Sequence, residues 1–178
     1  NASENKYTIA TSADLYGLAD IVNKGTTFGG KTVYLIADIE VNKGRATESG
    51  WSTYEEDGTT AIVGATSHVW TPIGYAGNKY FSGVFDGQGH TISGLNGTPT
   101  TTESEAFLGL FGRVDGGEIK NFKLTNSYFE ERTTGTNYTG SIAGRTTGNV
   151  TSVYSDAYIK CYTILTGGIV GRAHGDTN

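Results

Sequence analysis

Three glycine-arginine segments in the second half of the chain decide how it folds: 107-FLGLFGRVDGGEIKNFKL-124, 139-TGSIAGRTTGNVTSVYS-155 and 166-TGGIVGRAHGDTN-178. Aligned on Gly112, Gly144 and Gly171, each copy sets a small or apolar pair directly before Gly-Arg. The first two continue through a second glycine, Gly116 or Gly148, into another strand-like stretch. The intervals, 32 residues from Gly112 to Gly144 and 27 from Gly144 to Gly171, match one supersecondary unit per copy. A unit this small cannot bury both faces of its strands, so copies must stack to form a continuous interior. Leu110, Ile142 and Ile169 are then expected in one column, and Ile119 with Val150 in another. Parallel stacking of such coils predicts a β-solenoid with each coil ~4.8 Å above the last. Gly112, Gly144 and Gly171 are expected at its corners, where positive φ is needed. The third copy stops at Asn178, which predicts an open coil edge of the kind natural proteins usually cover. With no methionine anywhere, the chain reads as a segment of a larger protein.

Composition agrees with a strand-rich chain. Glycine supplies 27 of 178 residues, with only two prolines and no collagen-like triplet; the usual share is ~7%. Hydrophobic residues at 36%, including eleven tyrosines and seven phenylalanines, are too many for a disordered linker. Glycines scattered among β-branched and aromatic residues predict many short strands joined by tight turns, an all-β class. The net charge is −5 and no lysine or arginine block occurs. Phosphate-backbone binding needs a basic stripe, so nucleic acid is not an expected partner. No apolar run approaches the ~20 residues of a membrane span, and no signal peptide is visible. Cys161 is the only cysteine. In the alternating run 158-YIKCYTI-164 it shares a face with Ile159 and reads as a buried, unreactive thiol. His68, His90 and His174 lack paired-ligand spacing and H-E-x-x-H is absent, so no metal and no cofactor is expected.

One helix is legible upstream. In 11-TSADLYGLADIVNKG-25, Ser12 suits the N-cap, Asp14 suits the positive end of the helix, and Leu15, Leu18 and Val22 recur at helical spacing. Ile21 widens that stripe and Gly25 ends it, giving a capping helix over about 12–24. Strand texture follows at Lys31–Val41. Residues 43–68, KGRATESGWSTYEEDGTTAIVGATSH, are polar and interrupt two well-patterned segments, so they read as an inserted loop with one short strand at Thr60–Val63. Its acidic run Glu55-Glu56-Asp57 lacks the alternating ligands of a calcium loop and reads as solvated.

With these stretches in view, the chain resembles the GLUG-motif proteins of bacterial surfaces and secretions. The resemblance rests on the three repeats, the helix SADLYGLADIVNKG, then WTPIG at 70–74 and FSGVFDGQGHTISGL at 81–95, and it covers about Ser12 to the end without 43–68. It implies a right-handed parallel β-helix of the pectin-lyase-like kind, closed by the N-terminal capping α-helix. The whole of 1–178 then forms one domain, with repeats beginning near 107, 139 and 166. It also implies an extracellular or cell-surface, non-catalytic stalk, adhesin or assembly module, with glycans or cell-surface proteins as partners. In IgA-protease-like metallopeptidases similar repeats accompany a separate catalytic domain.

Two other functions compete with that reading. A self-assembling filament subunit would use the open coil edge for self-association. A carbohydrate-active enzyme, a polysaccharide lyase or hydrolase, would need two carboxylates ~5–9.5 Å apart from equivalent positions of adjacent coils. The repeats offer Asp115 in the first copy, Thr147 at the matching place, and Asp176 on a different register, so this segment reads as non-catalytic. Arg113, Arg145 and Arg172 should project from one corner of successive coils. They either bind an anionic glycan or partner, or satisfy corner carbonyls and local acids such as Asp115 or Asp156, and the second is the expectation. Tyr128, Tyr138, Tyr154, Tyr158 and Tyr162 are candidates for sugar stacking, Tyr128 and Tyr158 foremost, although tyrosine is also a favoured strand residue. Asn96, Asn137 and Asn149 begin glycosylation sequons of a kind that arises easily by chance here.

The stretch 85-FDGQGHTISGL-95 holds Asp86 and His90 four apart, spaced like a proton-transfer pair. The repeat reading makes it a corner instead. Phe85 and Ile92 enter the core on either side, Gly87 and Gly89 let the chain turn, and Asp86 bonds backbone amides. By alternation His90 is expected to point inward with Ile92, hydrogen-bonded there.

Overall fold

The computed structural model describes residues 5–75, 77–98, 105–132, 136–162 and 165–174; the end of the third repeat, 175–178, lies outside them. The chain begins with β1 (Lys6–Ile9), α1 (Ser12–Asn23), β2 (Thr32–Leu35) and β3 (Ile39–Glu40). A hairpin of β4 (Arg45–Thr47) and β5 (Gly50–Ser52) follows, then β6 (Val84–Asp86), β7 (Thr91–Ser93), β8 (Asn96–Gly97), β9 (Glu105–Leu108) and β10 (Phe111–Val114). The remainder is β11 (Glu118–Thr125), β12 (Tyr128–Glu130), β13 (Thr136–Thr139), β14 (Ala143–Thr146), β15 (Asn149–Ser155), β16 (Tyr158–Lys160), β17 (Leu165–Thr166) and β18 (Val170–Ala173). Strands dominate, and α1 is the only α-helix among the described residues.

Among the described residues the strands form four short parallel sheets and one antiparallel hairpin, β4–β5, beside which Tyr54 and Ala61 make an isolated antiparallel bridge. The first sheet runs β1-β2-β6-β11-β7-β3, with β15 also on β11; the others are β8-β12-β16, β9-β13-β17 and β10-β14-β18. From β6 onward the chain visits these sheets in one repeated cycle, completing a lap at β10, another at β14 and a third at β18. Each lap pairs with the one before, so neighbouring laps lie one strand spacing apart, ~4.8 Å. An earlier lap is sketched by β2, β3 and single bridges from Val69 to Asn96 and Ile73 to Phe111. The 43–68 excursion leaves this lap and returns to it.

The predicted columns hold. Ile119 pairs with Val150 directly, and the register Phe111–Ala143–Val170 sets Leu110, Ile142 and Ile169 beside one another, with Ile142 N donating to Ile169 O. Ile119, Leu110 and Ile142 are fully buried, whereas Val150 and Ile169 on the last lap are only partly covered. Within the core, rings follow one another through Phe28, Phe81, Phe111, Phe85 and Phe122 with centroids 5.3–5.9 Å apart. Such pairings add ~0.5–1.5 kcal/mol each beyond the area they bury.

The helix occupies the expected span, but its cap is Thr11 rather than Ser12. Thr11 Oγ1 accepts from Asp14 N while the Asp14 carboxylate accepts from Thr11 N, a complete capping box. Leu15, Leu18, Ala19 and Val22 face the core. At the other end Asn23 clamps the WTPIG segment: its amide donates to Pro72 O at 3.1 Å and its oxygen accepts from Gly74 N at 2.9 Å. Trp70, wholly buried, donates from Nε1 to Gly109 O at 3.1 Å and packs on Tyr16 with centroids 5.4 Å apart. The WTPIG motif therefore joins the helix to the second lap.

Several local expectations are corrected. The Lys31–Val41 strand breaks into β2 and β3 around Ile36–Asp38. Thr60–Val63 is not a strand; only Ala61 makes a bridge, to Tyr54, and the two strands of the excursion lie earlier. Asp57 there caps its own turn, accepting from Thr59 N and Thr60 N at 2.8 Å, and the bonds from Thr60 and Thr59 pull its carboxyl down to about 2. Cys161, just past β16, is half-buried rather than buried.

The largest correction concerns glycine. Gly112, Gly144 and Gly171 sit inside β10, β14 and β18, and none has positive φ. They are needed for close approach. A Cβ on Gly144 would stand 2.5 Å from Tyr138 O and 2.8 Å from Leu108 N, and one on Gly171 would stand 2.6 Å from Thr139 N. At Gly144 and Gly171 the third and fourth sheets thus meet backbone to backbone, with no space for a side chain between them, whereas Gly112 lies against the backbone of Gly74 and Tyr75.

Candidate functional site

The row of arginines is the most ordered polar feature on the fourth sheet. Arg113 pairs in register with Arg145, and Arg145 with Arg172, so the repeat alignment read from sequence places three guanidinium side chains on successive strands. Their partners differ. Arg113 donates from Nη2 to Asp115 Oδ2 at 2.7 Å and its guanidinium lies 5.4 Å from the Tyr80 ring centroid. Arg172 donates from Nη1 to Tyr138 Oη at 3.1 Å, and Tyr138 stacks on Phe107 with centroids 5.4 Å apart. Arg145, half-buried between them, makes no hydrogen bond or ion pair among the described residues, and its Nε is shielded from solvent without an acceptor.

Asp115 is the one carboxylate bound into the row among the described residues, and it is already engaged. Its second oxygen accepts from Thr147 Oγ1 at 2.7 Å. Burial raises its pKa, but bonds from Thr147 and Arg113, with the charges of Arg113 and Arg145, outweigh that and hold the carboxyl below its ordinary value. Asp156, the other acid expected to neutralise the row, instead accepts from Asn126 N at 2.8 Å, near the corner between the first and second sheets. Of the corner carbonyls and local acids expected to satisfy the row, the described residues show Asp115 on Arg113, and Arg172 is met by Tyr138 instead.

The tyrosines divide by lap. Tyr128 and Tyr158 are register partners, yet Tyr128 is 1% exposed and Tyr158 43%. Tyr128 sits on a strand with neighbours on both sides, so it is core and cannot contact a ligand. Burial and then the Glu130 carboxylate push its hydroxyl up to about 12. Tyr138 is also buried, while Tyr154 and Tyr162 are exposed. Of the sequon asparagines, Asn96 and Asn137 are buried and Asn149 is exposed.

The 85–95 stretch is a corner, with one change. Phe85 and Ile92 are wholly buried, and Asp86 Oδ1 accepts from Gln88 N and from Asn121 Nδ2, each at 3.1 Å. Gln88 and Gly89 take the positive φ values, 54° and 85°, while Gly87 lies against Phe122 where a Cβ would clash. That turn breaks the alternation, so His90 does not point inward. Its Nδ1 lies 3.1 Å from Asp38 Oδ1, on a side chain 35% exposed. The bond from Thr91 N, then that from His90, lowers the pKa of Asp38. Asp86 and His90 thus have separate partners and form no proton-transfer pair. Asp86→Ala should cost about 1 kcal/mol, the worth of its turn bonds, in a urea titration; an unchanged midpoint would contradict that role.

Beside this corner runs an open groove of about 610 Å³, lined by Asp86, Gln88, Asn121, Lys123, Ser152 and Tyr154 among others. Asp86 is its only carboxylate. Sequence reading missed a second feature, the buried acids Glu130 and Glu131 in a run, YFEER, that looks like a solvated strand end. Glu130 accepts from Arg132 Nη2 at 2.6 Å, which with burial opposing it keeps the carboxyl low, and Lys160 Nζ is 3.6 Å away. Glu131 Oε1 accepts from Asn137 Nδ2 at 3.0 Å. Charged residues spaced two apart, Glu130 and Arg132, were the available signal. No group of three or more potential metal ligands occurs among the described residues.

No family model matches the chain and no solved structure matches it. Halomucin of Haloquadratum walsbyi is 28% identical over 169 residues, which is 94% of this chain. The chain spans about 2% of the length of that relative.

Proposed function

We propose that the stacked laps are the coils of a right-handed parallel β-helix with α1 closing the first coil, and that it serves as a non-catalytic extracellular stalk or adhesin module of a larger GLUG-type surface protein. The observation that carries this reading is the register: strands of successive laps pair parallel in all four sheets. A stack of that kind is stiff along its axis and presents loops and strand edges to partners. The likeness to a far longer protein whose name contains "mucin" supports an extracellular setting and a modular parent. Glycans are the proposed partners. A binding array followed by product analysis tests this: bound glycans should be recovered at their original length, and new chain ends or unsaturated sugars would overturn it in favour of a depolymerising enzyme.

A further inference from the structure

The geometry points to the Arg113–Arg145–Arg172 row as a binding strip for an acidic glycan, a linear sugar polymer carrying carboxylate or sulfate groups, with Arg145 as its main contact. This deepens the glycan-binding reading above and rests on it. The three residues are in direct register on β10, β14 and β18, so their charges follow one line at about one strand spacing, ~4.8 Å, per step. Like charges that close repel unless anions are interleaved. Among the described residues one anion, Asp115, is bound into the row, and it is engaged by Arg113 and Thr147. Among the described residues Arg172 meets the neutral hydroxyl and ring of Tyr138. Three cations against one carboxylate leave the row with an excess of two positive charges, on a chain whose net charge is −5.

Arg145 makes the case specific. Arg113 and Arg172 each donate through a terminal nitrogen, whereas Arg145 donates to nothing among the described residues; the Nε groups of Arg113 and Arg145 are both buried without an acceptor. The terminal nitrogens of Arg145 are not enclosed as Nε is, and they too have no acceptor among the described residues, so they are the donors left for a ligand. An oxyanion placed between Arg113 and Arg172 would accept from the Arg145 fork, whose planar geometry matches a carboxylate or sulfate. A straight row of evenly spaced cations suits a polymer with an anion on successive units. The absence of any basic stripe elsewhere in the sequence disfavours a nucleic-acid backbone.

The test uses the intact chain with dextran sulfate, polygalacturonate and uncharged dextran, measured by calorimetry or biolayer interferometry. Both charged polymers or one of them should bind, uncharged dextran should not, and affinity should fall with added salt. Arg145→Ala should weaken binding at least tenfold with an unchanged circular dichroism spectrum, and Arg145→Lys should keep part of it. Preference between dextran sulfate and polygalacturonate separates sulfate from carboxylate recognition. Unchanged affinity in Arg145→Ala overturns the inference, as does an equal loss in Lys123→Ala or Tyr154→Ala, which would move the site to the corner groove while leaving glycan binding intact. Failure of both charged polymers to bind also overturns it, and binding of other glycans in the array would still support the broader reading.

Discussion

Gly144→Ala should destabilise the protein by about 3 kcal/mol or more, the upper end of what an added methyl costs in a filled interior. The new Cβ would stand 2.5 Å from Tyr138 O, 2.8 Å from Leu108 N and 2.9 Å from Gly112 O. All three are backbone atoms held in parallel ladders, so no rotamer change relieves the contact. The third and fourth sheets would have to separate, breaking pairing on both sides of β14. Gly17→Ala is the matched control, because nothing lies within 4 Å of its Cβ position in α1. A helical glycine costs up to ~1 kcal/mol relative to alanine, so that change should stabilise. Denaturant titration of the two variants should therefore show midpoints shifting in opposite directions. A Gly144→Ala midpoint close to the parent's would show that the sheets are not in backbone contact.

Trp70→Ala has a comparable expected cost, about 3–5 kcal/mol, as for other large aromatic deletions from a core. The indole is 0% exposed, donates to Gly109 O and packs on Tyr16 of the helix. Its loss leaves a cavity where α1, the WTPIG segment and the approach to β10 meet, and it leaves the Gly109 carbonyl without that donor. The helix should loosen first, so amide exchange in Leu15–Val22 should accelerate more than in β14. Trp70→Phe refills most of the volume and should lose distinctly less. A loss under 1 kcal/mol for the alanine variant would mean that the helix is not anchored through this ring.

Much of this arrangement was legible in the sequence because it repeats. Aligning Gly112, Gly144 and Gly171 put Arg113, Arg145 and Arg172 in the register that the strands adopt, and the pairing of Ile119 with Val150 followed from the same alignment. The helix was legible from its apolar spacing. The purpose of the glycines was not, since positive φ and close approach select the same residue and only the distance between sheets tells them apart. Alternation counted back from Ile92 misplaces His90 because the strand begins only at Thr91, and His90 still belongs to the turn of Gln88 and Gly89, where φ is positive. The same device acts unseen within β11 and β15, where Asn121 and Ser152 have φ of 61° and 53° and bend what reads as continuous strand. Tyr128 and Tyr158 differ only in which lap they occupy, a property of the stack rather than of local sequence. The unpaired state of Arg145 was likewise invisible, because Asp156 is available by composition and is used elsewhere.

The central claim is that successive laps pair in parallel and in register. Nuclear Overhauser contacts between backbone protons in isotope-labelled protein test it most directly. Phe85, Ile119 and Val150 should show cross-strand contacts in sequence, as should Arg113 with Arg145 and Arg145 with Arg172. Antiparallel contact patterns between β10, β14 and β18, or contacts displaced by one or more residues from these pairs, would contradict the account.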